Sequence, residues 1–450
     1  MFFKKFQQEI ASLANTSNQV REFQRKLYLR SKQAPEKAFY SLYDKICRFD
    51  ILWDAYYLCR ANRGAAGVDG VSFEDLKSIE ASGQLIKTLR AELVEKTYQP
   101  LPVKRVQIPK DNGKTRNLGI PSIRDRIVQM ACTLVLSPVF EPHFHGHSYG
   151  YRPKRSAQDA VKCIHGYLKQ GYSQVYDADL SKFFDTIPHS RLLDKVRTRV
   201  TDRAVLRLIK QFLKAPISEQ TAKGKTRIVG NPIGTPQGGV ISPLLANIYL
   251  NDFCLKIASK TPCKIISYAD DFVVLSRTAF NSAQMDWIKH ELGKEGLALN
   301  ESKTHTVDMT RVGNEFDFLG FTFKYVVGFI RYTNYIKLYP SKKSQKKYKD
   351  KLRHIVKHRT SLTLDELVQR VNRVVRGWKN YFGKVGYPRQ VFFKMDWFLV
   401  ARFYRWSRSR SQRRSLYLAQ DAWAKLRKAG LVFLQPTKMK PVKVSRRTLM

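Results

Sequence analysis

The sequence predicts an α+β fold followed by a strongly basic helical region, and three observations carry that expectation. From about Val103 to Phe323, strand-like and helical segments alternate irregularly, the pattern of an α+β domain. Within that stretch an apolar run, Ile265 to Ala269, is cut by Asp270 and Asp271. It resumes as Phe272-Val273-Val274-Leu275, which reads as a tight β-hairpin with paired acids at its tip. After Pro340 the composition shifts, and residues 341–450 hold 30 Lys plus Arg against 5 Asp plus Glu.

Bulk properties bound the possibilities. A chain of 450 residues exceeds one ordinary core, so two or three domains are expected. A hydrophobic content of 43% with 12% aromatics excludes a disordered chain. The net charge of +44, from 81 Lys plus Arg and 37 Asp plus Glu, would self-repel unless a polyanion neutralised it. RNA or DNA is the natural partner. No apolar stretch approaches the ~20 residues needed to span a bilayer, so no membrane partner is expected. Met1 to Val20 lacks the apolar core and small-residue cleavage pattern of a secretory signal. Cys47, Cys59, Cys132, Cys163, Cys254 and Cys263 form no C-x-x-C pair and have no His at zinc-finger spacing, which fits free thiols and a reducing, cytoplasmic setting.

In chain order, residues 1 to about 75 carry helical periodicity, with Leu42, Ile46, Ile51, Leu52, Ala55 and Tyr56 set among Lys and Arg. They end in a Gly-rich turn, Gly64 to Gly70, that marks a boundary. A first acidic strand follows at Val175 to Asp185, where alternation puts Asp177, Asp179 and Ser181 on one face. Asp185, close to Pro188, fits a helix-start or turn residue. The segment Gly234-Thr235-Pro236-Gln237-Gly238-Gly239 allows close backbone approach to a ligand, and Ser242-Pro243 can open an apolar helix.

Asp270 and Asp271 repel each other, and a fold that holds them together calls for a cation, with Mg²⁺ suited to oxygen donors. Read alone, they fit solvated turn residues equally well. His143, His145 and His147 alternate in a short run that fits loop packing better than metal ligation. In the final quarter, aromatics such as Trp378, Tyr381, Phe392 and Trp406 are expected to pack two or three helices while Lys and Arg face a nucleic-acid backbone. Lys438 to Arg447 is expected as a flexible basic tail.

The order acidic strand, Gly-rich loop and helix, acidic hairpin resembles the palm of reverse transcriptases. Asp179 to Phe184 is similar to their first catalytic strand, and Tyr268-Ala269-Asp270-Asp271 to their Tyr-x-Asp-Asp hairpin. Gln237-Gly238-Gly239-Val240-Ile241-Ser242-Pro243-Leu244 resembles group II intron reverse transcriptases, or maturases, in particular. The likeness continues through Ile108-Pro109-Lys110, Arg116 to Pro121, Gly150-Tyr151-Arg152-Pro153, Phe318-Leu319-Gly320-Phe321 and Arg376 to Phe382. Many members carry a C-terminal Cys/His-rich DNA endonuclease domain; this chain resembles the family without it.

The resemblance implies a right-hand polymerase: a helical N-terminal extension over 1–75, fingers and palm over 76–335, a helical thumb or maturase domain over 336–430, and a basic tail over 431–450. It implies an RNA-directed DNA polymerase with Asp179, Asp270 and Asp271 as ligands of two Mg²⁺ ions and the Leu180 carbonyl as a further ligand. Lys110 and Arg116 would grip the triphosphate, Phe184 would exclude a ribose 2′ hydroxyl, and Gln237 would line the nucleotide or template pocket. Lys303 would protonate the leaving pyrophosphate, and Phe318, Leu319 and Gly320 would lie near the primer end. The implied partners are an RNA template, the chain's own intron RNA, a DNA primer or target, and dNTPs. The alternatives are a relative recruited to host defence and a binding-only splicing maturase; the three intact Asp residues argue against the latter.

Overall fold

The structure is a computed structural model that describes residues 2–109, 115–220, 226–328, 334–357, 361–386, 388–409 and 421–435. Its strands are β1 (Val103–Pro109), β2 (Thr115–Ile120), β3 (Gln174–Asp179), β4 (Ile217–Gln220), β5 (Thr226–Val229), β6 (Lys264–Tyr268), β7 (Asp271–Ser276), β8 (His305–Asp308), β9 (Glu315–Phe318), β10 (Phe321–Val327) and β11 (Asn334–Pro340). They form three sheets with strand orders β2-β1-β4-β5, β6-β7-β3-β8 and β11-β10-β9. The chain divides into two compact units. One holds Met1–Arg155, Asp177–Val274 and Phe280–His305; the other holds Ser156–Tyr176, Leu275–Ala279 and Thr306–Met450.

The first unit is built on two helices whose sequences are apolar nearly all round, which is the pattern of a buried helix. Ile123–Phe140 buries Ile127, Val128, Ala131, Val135 and Leu136 among others, and Ser242–Lys260 buries Leu245, Tyr249, Phe253 and Ile257. Each of the larger aliphatic and aromatic side chains among these contributes roughly 1.5–3 kcal/mol when removed from water. Phe253 meets Phe272 of β7 edge-on, with ring centroids 5.5 Å apart, so the second helix backs the acidic hairpin directly. Asp202 ties the N-terminal residues into this unit. Its carboxylate caps helix Arg203–Lys214 through the Ala204 and Val205 amides (3.0 and 3.3 Å) and accepts the Leu42 and Tyr43 amides (both 2.8 Å).

In the second unit, helices Lys342–Val356, Leu364–Phe382 and Arg389–Ser409 bring the aromatics of the basic region into a core. Trp378 stacks on Tyr348 at 4.6 Å and lies 4.7 Å from Phe382 and 5.6 Å from Phe392. Lys342, Lys346, Lys351 and Arg353 lie on the exposed side of the first of these helices, while Tyr348, Leu352 and Val356 are buried. The aromatics therefore pack inward and the cations face out, as the alternation of residue types predicts.

The compact units do not fall at residues 75, 335 and 430. Residues 1–75 cluster with the chain up to Arg155, and residues 306–335 belong to the second unit. Residue 335 lies inside a hairpin, since β10 and β11 pair from Phe321↔Pro340 to Val327↔Asn334. Residues 431–435, expected as the start of a tail, are packed: Leu431, Phe433 and Leu434 are buried, and the Leu434 and Gln435 amides donate to Asp396 (2.9 and 3.0 Å). The stretch Lys438 to Arg447 lies outside the described residues. All six cysteines are thiols outside any disulfide. Among the described residues no helix is long and apolar enough to cross a membrane.

Candidate active site

The expected hairpin is formed by β6 and β7, with Ala269 and Asp270 in the turn and Asp271 opening β7. Ile265, Ile266 and Phe272 to Val274 are fully buried, so the arms are anchored in the core while the acids stand at the end. Ala269 takes a left-handed φ of 57°, which makes the turn tight. β3 lies beside β7 and ends at Asp179. The Leu180 amide then donates to the Asp270 carbonyl (3.3 Å), which joins the two acidic segments by backbone. Ser181 does not extend the acidic face of the strand. It sits in the following turn, donating its amide to the Ala298 carbonyl (2.8 Å).

The negative charge gathered at this corner is only partly offset. Burial first, and then the nearby carboxylates of Asp270 and Asp179, push the Asp271 carboxyl up to about 7. Asp179 Oδ2 accepts from Lys303 Nζ (2.7 Å) and Asn300 Nδ2 (3.1 Å), and the bond from Lys303 raises its ammonium above the ordinary value. Asp177 lies 3.9 Å from His305. Among the described residues no three His, Cys, Asp or Glu side chains converge as a ready-made ion site. The donor set nonetheless fits Mg²⁺ by chemistry: the donors are all oxygens, and the excess negative charge that raises Asp271 is what a cation would relieve.

Arg116, Asp185 and the Phe184 backbone meet the loop Gly234–Gly239. Arg116 Nε donates to Gln237 Oε1 (2.6 Å), and Gln237 Nε2 donates to Asp185 Oδ2 (3.3 Å). Asp185 thus sets which end of the Gln237 amide faces Arg116, a link that its reading as a helix-start residue missed. The signal was its place directly after Phe183-Phe184. The Gly119 amide donates to the Gln237 carbonyl (2.6 Å), and a Cβ on Gly238, whose φ is +114°, would stand 2.3 Å from the Gly119 oxygen. Only glycine fits there without displacement.

Phe184 is 6% exposed and packs edge-on against Phe183, while its carbonyl accepts the Thr235 amide (2.7 Å). The ring sits largely in the core, its backbone pinned to the same loop. A pocket of about 380 Å³ opens beside these groups, lined by Arg105, Asn117, Lys182, Asp185 and Gln237 among others. Lys110 lies outside the described residues. Phe318, Leu319 and Gly320 belong to the second unit, where Leu319 (φ 49°) and Gly320 (φ 81°) make a turn. Tyr381 Oη donates to the Leu319 carbonyl (2.9 Å), and the Ser341 amide and Ser344 hydroxyl donate to that of Gly320 (2.8 and 2.9 Å).

A sheet bearing acids on neighbouring strands, a second sheet docked on a Gly-rich loop, and a basic helical region after them define a right-hand polymerase of the reverse transcriptase class. Residues 108–323 match the reverse transcriptase (RNA-dependent DNA polymerase) family, and residues 345–426 match the group II intron maturase-specific domain. The chain belongs to the group II intron-type reverse transcriptase/maturase family. It is similar to protein YkfC of Escherichia coli K12, with 40% identity over 240 residues covering 52% of this chain and 61% of that protein. It is likewise similar to the group II intron-encoded protein LtrA of Lactococcus lactis subsp. cremoris, with 36% identity, 51% of this chain and 38% of that one. The match thus spans less than two thirds of either relative's length. A solved partial Cas6-RT-Cas1–Cas2 complex shares 26% identity, with 56% of this chain and 41% of that chain covered and a TM-score of 0.35.

Proposed function

We propose that this protein is the RNA-directed DNA polymerase of a group II intron, adding dNTPs to a primer 3′ end and binding intron RNA to assist splicing and mobility. The observation that carries the reading is the corner where Asp179 and Asp270 act on partly buried Asp271, an acidic cluster at adjacent strand ends in a chain of net charge +44. A module that only binds RNA gains nothing from such a cluster, because it repels phosphate. Asp179, Asp270 and Asp271, with the Leu180 carbonyl, would hold two Mg²⁺ ions. When bound, these neutralise charge on the entering and leaving oxygens of an in-line phosphoryl transfer.

The chain's own residues supply the rest. Arg116, its guanidinium aligned by Gln237 and Asp185, orients the triphosphate together with Lys110. Phe184 limits room at the sugar and so favours dNTPs over rNTPs. Lys303 holds a proton at Nζ and passes it to the leaving pyrophosphate. The family resemblance assigns Phe318, Leu319 and Gly320 to the primer region.

Primer extension on an RNA template tests the polymerase reading. Wild type should extend with dNTPs and not rNTPs, while Asp270→Asn should fall by about three orders of magnitude, equivalent to several kcal/mol of lost charge stabilisation. Extension no greater in wild type than in the mutant would sink it. Splicing assistance is read separately, as stimulation of intron self-splicing at low Mg²⁺ on adding the protein.

A further inference from the structure

The segment from His147 to Arg152 is a strap bound to the acidic hairpin. The Ser267 amide donates to the His147 carbonyl (3.0 Å), the Tyr149 amide to the Ser267 carbonyl (2.9 Å), and Asn247 Nδ2 to the Gly150 carbonyl (2.8 Å). Gly150 lies so close to the turn that a Cβ there would stand 2.4 Å from the Ala269 amide nitrogen. Buried Arg152 clamps the next position, donating to the His145 and Ser148 carbonyls (2.8 and 2.9 Å) and to Glu141.

Between these two fixed points Tyr151 adopts a φ of 56°, a conformation uncommon for a bulky residue, and its side chain is left 54% exposed. Its own partial burial and then the Asp270 carboxylate raise the Tyr151 hydroxyl above its ordinary value, with Arg116 acting in the opposite sense. Core packing does not account for a half-exposed ring on a strained and clamped backbone beside the acids. Presentation to a ligand does.

We propose that Tyr151 is a positioning residue whose ring packs against the nascent base pair formed by the incoming dNTP and the templating base. The inference rests on the polymerase function proposed for the acidic corner. The contact is made by the aromatic face, which tolerates any base.

Two ring-removing variants separate this role from a structural one. Tyr151→Gly relaxes the left-handed backbone and should hold or raise the thermal midpoint, whereas Tyr151→Ala keeps the strain; Tyr151→Phe keeps the ring. In single-nucleotide addition, KM for dNTP should rise about tenfold in both the Gly and Ala variants, as loss of one aromatic–base contact predicts, with kcat little changed and Phe close to wild type. A dideoxy-terminated primer on a template with 2-aminopurine as the templating base gives a second readout. Adding dNTP to its complex with wild type or Tyr151→Phe should quench the fluorescence, and with the Gly and Ala variants the quench should be at least halved. Wild-type KM and quench in Tyr151→Gly would overturn the proposal, as would a Phe variant as defective as Ala. Fluorescence reads binding alone, so a wild type that binds with quenching yet adds no nucleotide would remove the polymerase reading and leave the contact standing.

Discussion

Gly238 shows how a single residue fixes the backbone of the loop that carries Gln237. Its φ of +114° and the 2.3 Å that would separate an added Cβ from the Gly119 oxygen leave room for hydrogen only. Gly238→Ala should cost about 1–3 kcal/mol by urea denaturation and displace the neighbouring Gln237, which a raised KM for dNTP would report. Lys303 is the cation that offsets the acidic corner through Asp179. As an exposed pair it is worth about 1 kcal/mol at most. Lys303→Met should therefore lower the thermal midpoint by about 2–4 °C without divalent ions, and added Mg²⁺ should restore it. An equal deficit with and without Mg²⁺ would mean that Lys303 does not offset the acidic corner.

Elements are joined by carboxylates that accept backbone amides. Asp202 serves a helix start and two amides from residues 42–43, so Asp202→Ala leaves four donors without their acceptor and should destabilise the first unit by about 2–4 kcal/mol. Asp396 plays the same part in the second unit toward Leu434 and Gln435, and burial pushes its carboxyl up to about 6. A carboxyl with a raised folded pKa binds its proton more tightly in the folded state. Its contribution is full below about pH 4 and is lost as pH rises through about 6. Wild type measured against Asp396→Asn should lose relative stability between those values, a trend that urea midpoints across the range will show or refute.

Across the whole molecule, charge supports the proposed polyanionic partner. A net charge of +44, with exposed Lys346, Lys351 and Arg353 on one helix, would make the proposed RNA binding a counterion-release process. The logarithm of the binding constant should fall linearly with the logarithm of salt, and Lys346→Gln should reduce the slope by about one unit if Lys346 touches phosphate. An unchanged slope would place that residue outside the RNA interface.

Local patterns in the chain were legible before any fold was known. The run of apolar residues broken at Asp270 and Asp271 pointed to a hairpin with acids at its tip, because β-branched and aromatic arms bury more readily than adjacent carboxylates. The interleaved aromatics and cations of the last quarter determined helices that pack inward and charge outward. Those patterns are local, so they are legible without a fold. Contacts across long separations were not. That Asp185 reaches Gln237, that Lys303 occupies Asp179, that Phe184 is nearly buried and that Leu431 to Gln435 pack back onto Asp396 depend on which segments the tertiary structure brings within hydrogen-bond distance. Tyr151 belongs with them, since its exposure beside the acids comes from a strap whose anchors, Asn247 and Ser267, lie about a hundred residues away.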